Sequence, residues 1–272
     1  MSASKLNQVQ DPNRPRQDSF PLLSVIIPLR NRSGDRLKNC LQSLRWNEFS
    51  PEHVEIIIVD FGSDPSHHQA ITNEAQLWDV NLVRVDEFGV WNRSKALNYG
   101  IRAARGHYLF CTDVDMIFSP LFLKNLIERI DPKKIIYSKC QDLPETVPLQ
   151  ARTRDEFNWL VNQSSTRSTQ GTGACQCTHR SFFYHAHGYD EKFQHWGAED
   201  DDFRTRARRF GLEAVWMPED SPMLHQWHPT TRASHTWQQK LNKYRLYLTR
   251  WKIIKNRKEW GGQPSSMGDS RS

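Results

Sequence analysis

The sequence predicts an α/β fold in which a mostly parallel central sheet is flanked by helices. Two apolar runs, at 22–29 (LLSVIIPL) and 54–64 (VEIIIVDFGSD), have the continuous hydrophobicity of buried parallel strands. Between these runs, apolar residues recur with the spacing of one helix face: Leu37, Cys40, Leu41 and Leu44. A strand–helix–strand unit of this kind places its ligand site at the carboxyl ends of the strands.

The alternation of strands and helices continues along the first half of the chain. Residues 81–86 predict a third strand, 94–105 a helix, and 107–115 a fourth strand that runs into acidic residues. Ser119 and Pro120 then predict a helix start, because Ser is favoured as an N-cap and Pro at the first helical position.

The second half is less regular. Residues 141–172 form a long polar stretch that predicts an active-site loop. A helix follows, with Phe203, Ala207 and Phe210 on one face and Gly211 placed to end it.

The C-terminal residues 237–260 predict a basic amphipathic helix. Such a helix either lies on a membrane or packs on its own domain, and packing is favoured because it is the usual fate of an apolar stripe. The stripe consists of Leu241, Tyr244, Leu248, Trp251 and Ile254.

The composition sets limits on function. The 272 residues have a net charge of +6, which suits an anionic ligand, a nucleic acid or a membrane surface, but no nucleic-acid-binding motif is visible. No run of about 18 apolar residues is present to span a bilayer, and residues 1–20 lack the apolar core of a signal peptide. We therefore expect a cytoplasmic protein that does not bind nucleic acid.

The five cysteines predict small buried thiols. Cys40 and Cys111 lie in apolar segments, and Cys175 and Cys177 are too close together for an easy disulfide. With His179 they match no common zinc-site spacing.

An acidic pair and a histidine pair carry the first functional signal. Asp113 and Asp115 follow the fourth predicted strand, and carboxylate oxygens there suit Mg²⁺ or Mn²⁺. His225 and His228 could be ordinary surface histidines or could complete a mixed shell that suits Mn²⁺ better than Mg²⁺. The residues alone leave both interpretations open.

The segment HWGAEDDDF (195–203) places four carboxylates side by side. A helix N-terminus favours such charges, and this accounts for Asp201 and Asp202. It does not account for the Trp-Gly-Ala turn before them.

Five segments in order resemble metal-dependent glycosyltransferases of the GT-A fold, in glycosyltransferase family 2 with a β-1,4-galactosyltransferase-like C-terminal half. They cover about 200 residues: VIIPLRNR (25–32), VWNRSKALNYG (90–100), FCTDVDMI (110–117), HWGAEDDDF (195–203) and HQWH (225–228). The resemblance implies the Rossmann-like nucleotide-diphospho-sugar transferase fold and a UDP-sugar donor.

The resemblance also implies roles for individual residues. Asp60 would lie near the uracil and Asp113 near the ribose or donor sugar, while Trp91 replaces a more usual Phe. The whole nucleotide-sugar site would consist of Pro28, Arg30, Arg32, Asp60, Trp91, Asn92, Arg93, Asp113 and Val114.

The remaining implied roles concern the metal and the chemistry. Mn²⁺, or Mg²⁺, would be held by Asp115, His225 and His228, where His225 departs from the Met that galactosyltransferases can carry. Asp200 would be the catalytic base and Glu199 would contact sugar hydroxyls. Trp196 would form the wall between donor and acceptor.

The resemblance implies an inverting enzyme that moves a hexose or N-acetylhexosamine to a sugar hydroxyl of a glycan or glycolipid. A β-linkage would form, in bacterial surface polysaccharide synthesis; a non-catalytic nucleotide-sugar- or glycan-binding protein is the alternative. We expect tails at 1–20 and 261–272, and the helix at 236–260, with possible peripheral membrane contact through 237–260. The catalytic domain would be 21–235, divided into a donor half (21–118) and an acceptor half (119–235).

Overall fold

The computed structural model describes residues 20–47, 49–50, 52–167, 171–195, 197–229, 236–257 and 259–262. The elements in chain order are β1 (Leu23–Leu29), α1 (Asp35–Arg45), β2 (Val54–Phe61), α2 (Pro65–Leu77), β3 (Asn81–Val85), α3 (Arg93–Ala103), β4 (Tyr108–Cys111), β5 (Met116–Phe118), α4 (Phe122–Ile127), β6 (Lys134–Tyr137), β7 (Cys140–Asp142), α5 (Phe157–Gln163), β8 (Ser165–Thr166), β9 (Gln176–His179), α6 (Arg180–His185), α7 (Glu199–Phe210), β10 (Glu213–Trp216), β11 (Met223–His225) and α8 (Thr236–Thr249).

The main sheet has seven strands in the order β10-β6-β9-β4-β1-β2-β3. All neighbouring pairs are parallel except those of β9, which runs antiparallel to both β4 and β6. Every residue of β1 and β2 is buried, as expected for central strands covered on both faces. The predicted mostly parallel α/β fold is confirmed.

Helices cover both faces of this sheet. The α1 helix buries the apolar face predicted from its sequence, including Leu37 and Leu41. The α3 helix packs against β1 and β2 at Gly100, where an added Cβ would meet Ile26 and Val59 at 2.4 and 2.8 Å. A larger residue there would push α3 off the sheet.

A second sheet of four short strands, in the order β5-β11-β7-β8, forms beside the first. The β11 strand pairs antiparallel with β5, which places His225 opposite Met116, and parallel with β7, which places His225 level with Asp142. This small sheet brings the acids after β4 together with the histidines at 225–228.

Two local predictions are wrong. The helix expected at Pro120 begins at Phe122, because Ser119 forms a turn first: its carbonyl accepts from the Phe122 amide and its hydroxyl from the Leu121 amide. The polar stretch 141–172 contains α5 and β8, so it is not only a loop.

Other local predictions hold. All five cysteines are buried and free. The helix around Phe203 is α7, with Phe203 and Ala207 fully buried, although Phe210 is exposed. Gly211 ends α7 in the left-handed conformation with φ of 98°.

The C-terminal helix differs from the prediction in both length and orientation. It ends at Thr249, where the Lys255 ammonium donates to the Thr249 carbonyl and competes with continued helical pairing. Its predicted apolar stripe does not pack on the domain: Leu241, Tyr244 and Leu248 are exposed. The helix contacts the domain instead through polar residues, because the surface beneath it offers a carboxylate and backbone carbonyls.

The chain after α8 returns to the domain as irregular backbone. Trp260 is buried, and it packs where Gly188 leaves room for its ring: a Cβ at Gly188 would lie 2.7 Å from Trp260. The predicted tail boundary at 261 falls within this packed region, since the Gly261 amide donates to Glu191. No helix among the described residues is long and apolar enough to cross a membrane.

Candidate active site

The first half of the site is a cluster of one carboxylate and two imidazoles. Asp115 lies just beyond the end of β4, and its Oδ2 is 3.1 Å from His228 Nε2 and 3.5 Å from His225 Nε2. One ligand atom from each residue lies within 4.8 Å of the others, which is close enough for all three to share one ion.

Both imidazoles are oriented by a second partner on the opposite ring nitrogen. His225 Nδ1 lies 3.0 Å from Asp142 Oδ1, and His228 Nδ1 lies 3.0 Å from the Pro229 carbonyl. Because these partners accept hydrogen bonds, each Nδ1 carries a proton, and each Nε2 is the ring nitrogen that faces Asp115 and that an ion would bind. This arrangement resembles the carboxylate–histidine support that metal-binding imidazoles commonly have.

Asp142 is itself held in place. Arg167 donates to both of its carboxylate oxygens, at 2.7 and 2.5 Å. Burial alone would raise the pKa of Asp142, but the hydrogen bond and charge of Arg167 hold it below its usual value. Asp142 therefore stays charged and keeps His225 oriented.

The electrostatics of Asp115 also fit a cation. Burial alone would raise its pKa, but hydrogen bonds and charge from His225 and His228 depress it well below the usual range. Its other oxygen, Oδ1, is buried and has no hydrogen-bond partner among the described residues. An anionic oxygen left unpaired beside two imidazole nitrogens is a donor set that suits Mn²⁺.

The second half of the site is the first turn of α7. All four acids from Glu199 to Asp202 lie in this turn, where unpaired backbone N–H groups favour negative charge. The turn before it is strained at two residues, His195 and Ala198, which have positive φ (61° and 76°); Gly197 also has positive φ (98°), which costs glycine little.

Glu199 and Arg93 link this turn to the acids after β4. Arg93 Nε donates to Asp113 Oδ1 at 2.8 Å, and Arg93 Nη1 lies 3.8 Å from Glu199 Oε1. Burial and the adjacent charge of Asp200 raise the pKa of Glu199 to about 7. Asp113 therefore faces the acid turn, while Asp115, two residues on, faces the histidines.

Asp200 is more accessible than Glu199, which is 9% exposed. Its carboxylate lies against Gly173, where an added Cβ would be 3.3 Å from Oδ2. Burial and the charge of Asp201 raise the pKa of Asp200. The absence of a side chain at 173 keeps the space beside this carboxylate open.

The other two acids have structural partners. Asp201 is exposed and pairs with Arg204, three residues along the helix. Asp202 is fully buried between Arg206 and Lys255, at 2.7 and 2.9 Å. Asp201 thus fits the predicted helix-end role, whereas Asp202 joins α7 to the C-terminal segment.

The acid predicted to lie near the uracil, Asp60, is fully buried at the end of β2. It accepts hydrogen bonds from the Ser63 amide, from Arg84 and from His68 Nδ1. Burial alone would raise the pKa of Asp60, but these hydrogen bonds hold it below its usual value.

Arg30 is committed to backbone contacts. Its three nitrogens donate to the carbonyls of Phe61, Glu87 and Gly89, and its guanidinium lies 5.8 Å from the Trp91 ring. It braces the loop before α3, a role that the sequence did not predict. Its predicted contact with the nucleotide stays a prediction.

The remaining nucleotide-site candidates lie along the same sheet edge. Pro28 and Val114 are buried, whereas Arg32 is exposed and makes no ion pair among the described residues. Asn92 is the N-cap of α3, since its side chain accepts from the Lys95 amide. Trp196 lies outside the described residues.

Three supporting residues were missed from the sequence. Asp142 and Arg167 lie in the polar stretch 141–172, and nothing in their sequence context indicates that Asp142 contacts His225 or that Arg167 contacts Asp142. Asn242 of α8 donates to the carbonyl of Gln194, just before the strained turn, and to the carbonyl of Gly197, within it. Its role depends on which side of α8 faces the domain, and the apolar pattern of the sequence predicts the opposite side.

Three features together are typical of a GT-A-type transferase fold: the order of the strands in the main sheet, the Asp115–His225–His228 cluster beyond β4, and the acids in the first turn of α7. Residues 24–193 match the family described as Glycosyl transferase family 2, and residues 162–231 match the N-terminal domain of galactosyltransferase. The chain belongs to glycosyl transferase family 2 and is a glycosyltransferase. The predicted family is confirmed.

Individual relatives agree with this assignment. The chain is 24% identical to chondroitin synthase of Escherichia coli over 79% of its own length and 36% of that protein. It is 23% identical to hyaluronan synthase of Pasteurella multocida, again over 79% of its length, covering 25% of that protein. The chain thus spans about a quarter to a third of these two relatives, both of which are named for polysaccharide synthesis.

A solved structure confirms the fold. The structure of GalNAc-T7 with UDP, GalNAc and Mn²⁺ superimposes with a TM-score of 0.59 at 17% identity, over 80% of this chain and 45% of that one.

Proposed function

We propose that this glycosyltransferase moves a hexose or N-acetylhexosamine from a UDP-sugar to a sugar hydroxyl of a glycan or glycolipid, with inversion to a β-linkage. The observation that carries the proposal is the pairing of two clusters through Asp113-Val114-Asp115: a cation-binding set on one side and an acid turn on the other. A bacterial polysaccharide as the product is supported by the names and organisms of the relatives.

Asp115, His225 and His228 would hold Mn²⁺, with Mg²⁺ as the weaker fit to two imidazoles. The ion would neutralise charge on the departing diphosphate. Asp142 keeps His225 in the tautomer whose Nε2 is available, and Arg93 adds positive charge between Asp113 and Glu199.

Asp200 would be the general base. The acceptor hydroxyl would attack the anomeric carbon from the face opposite UDP, and Asp200 would take the hydroxyl proton as the bond to UDP breaks. The assignment is supported by its accessibility and by the open space at Gly173. Glu199, which is more buried and lies near Arg93, would accept hydrogen bonds from sugar hydroxyls.

The test is a donor panel. The chain is incubated in Mn²⁺, Mg²⁺ or EDTA with UDP-linked glucose, galactose, N-acetylglucosamine or N-acetylgalactosamine, and the release of nucleotide is measured. GDP-mannose is the control for the nucleotide specificity of the donor site. We expect release from one or two UDP-sugars, strongest with Mn²⁺ and abolished by EDTA. Equal release in EDTA would contradict the metal assignment, and release from GDP-mannose alone would contradict the UDP assignment.

A further inference from the structure

The helix α8 has its polar face against the domain and its apolar face outward. The inward face carries Asn242, which is buried, and Arg245, which makes a bidentate ion pair with the buried Asp190. We call the opposite side of α8, together with Trp251 just beyond the end of the helix, the outer face. It consists of Trp237, Leu241, Tyr244, Tyr247, Leu248 and Trp251.

The outer face is strongly exposed for residues of this kind. Trp237, Tyr244 and Trp251 are 63%, 61% and 63% exposed. Single exposed apolar residues are ordinary, but six within fifteen positions on one side of one element form a continuous patch. A patch of this kind marks a surface that is covered by something else in use.

The charged residues of α8 and of the segment that follows it to residue 257 are all positive. Residues 236–257 contain seven Lys or Arg and no Asp or Glu. Arg245 and Lys255 are paired inward with Asp190 and Asp202. The cations left exposed in this range are Lys240, Lys243, Lys252 and Arg257.

We propose that the outer face docks on a lipid bilayer with anionic headgroups. Trp and Tyr are the side chains that prefer the boundary between headgroups and acyl chains, and lysines at its border would meet lipid phosphates. The aromatic rings are already associated with cations: the Arg250 guanidinium lies 4.5 Å from the Tyr247 ring and 4.9 Å from the Trp251 ring.

A second copy of the chain fits this surface less well. In a two-fold dimer the same patch meets itself, so the exposed lysines of both copies would be brought together. Because residues 236–257 supply no acid to pair with them, that repulsion would be uncompensated. An anionic bilayer would attract these lysines, so the repulsion that opposes a dimer does not arise.

The first test uses the whole chain and vesicles, without any sugar substrate, so its result is independent of the proposed transferase reaction. Sedimentation is compared for phosphatidylcholine vesicles with and without phosphatidylglycerol. We expect binding only to the anionic vesicles. The triple variant Trp237→Ser, Tyr244→Ser, Trp251→Ser should bind at least about tenfold more weakly, because buried apolar area is lost.

The matched control removes three exposed apolar residues elsewhere: Leu77→Ser, Leu149→Ser and Trp159→Ser. This variant should bind like the wild type. An equal loss of binding in the control would overturn the assignment to the outer face.

A second variant tests the charge and covers the case in which the serine variant fails to fold. Lys240→Gln, Lys243→Gln, Lys252→Gln should lower binding by about fivefold for each lysine, the equivalent of ~1 kcal/mol per charge, and binding by the wild type should weaken as salt is raised. Failure of the wild type to bind anionic vesicles would overturn the proposal. So would a concentration-dependent dimer, or binding to RNA, that replaces vesicle binding and is lost in the serine variant.

Discussion

Asp115 and Glu199 are both largely buried carboxylates near cations, yet their pKa values move in opposite directions. Asp115 is depressed because two imidazoles donate to it, in spite of its burial. Glu199 is raised to about 7 because burial and the adjacent Asp200 outweigh Arg93, which lies 3.8 Å away. The comparison shows that direct hydrogen bonds, and not burial alone, decide which acid stays charged.

The two clusters therefore suit different tasks. The group around Asp115 keeps a fixed negative charge, as a cation ligand must. The α7 turn keeps carboxylates near the point at which they exchange protons, as groups that handle hydroxyl protons must. Substitutions in one cluster at a time separate these tasks.

The largest effect is expected for Asp200→Asn. Loss of a general base should lower kcat by about a thousandfold, within the range of such contributions, while UDP binding in Mn²⁺ persists. Turnover and calorimetric UDP binding would be measured together. Asp79→Asn is the control, since Asp79 is exposed and follows α2, outside both clusters. Activity near the wild-type level in Asp200→Asn would exclude this residue as the base.

Removing an imidazole should act on the metal instead. His228→Ala should weaken Mn²⁺ affinity by about a hundredfold or more, since one of three protein ligands is lost. Free Mn²⁺ can be followed by electron paramagnetic resonance during a titration. His53→Ala, which removes a histidine outside the cluster, should leave the titration unchanged. The same curve for both variants would remove His228 from the cluster.

Asp142→Asn tests a positioning residue. With its charge lost, the support of His225 Nδ1 weakens, and Mn²⁺ affinity should fall by roughly 10–100-fold while the thermal midpoint changes little. Asp220→Asn, at an exposed position, serves as the control. A loss of stability without a change in metal affinity would give Asp142 a structural role only.

The smallest effect concerns stability and pH. Because the pKa of Glu199 is raised in the folded state from 4.5 to about 7, the native chain keeps a proton that the unfolded chain releases. The free energy of unfolding therefore declines as pH rises through this interval. Glu199→Gln should flatten this decline and gain about 1–2 kcal/mol at pH 8 relative to the wild type. Denaturant unfolding of the metal-free chain at several pH values measures the free energy of unfolding of both proteins. The same pH dependence in the wild type and in Glu199→Gln would contradict the raised pKa of Glu199.

Much of the sheet could be predicted from the sequence because its strands are apolar throughout. The runs that became β1 and β2 are seven and eight buried residues long, and the face of α1 repeats with clear helical spacing. The second sheet could not be predicted in this way. Its strands β5 and β11 have three residues each, too few for a periodicity to emerge.

The candidate site divides in the same way. Asp115, His225 and His228 could be predicted as a set because a known family pattern fixes their order, and the structure brings the three side chains together. Asp142 was not found because its role depends on the register between β7 and β11, a relation between distant segments. The sequence predicts that α8 packs on the domain through its apolar stripe, but in the structure the polar side faces inward. An apolar stripe does not reveal that a buried acid elsewhere, here Asp190, requires a cationic partner from this helix.

The turn before α7 has a consequence for engineering. Ala198 adopts a conformation that Gly accepts at little cost, so a selection for thermal tolerance would favour Gly at this position. The same exchange would widen the range of backbone conformations open to the residue that directly precedes the acids of α7. At residue 198, a gain in stability is thus expected to come with a looser placement of these carboxylates.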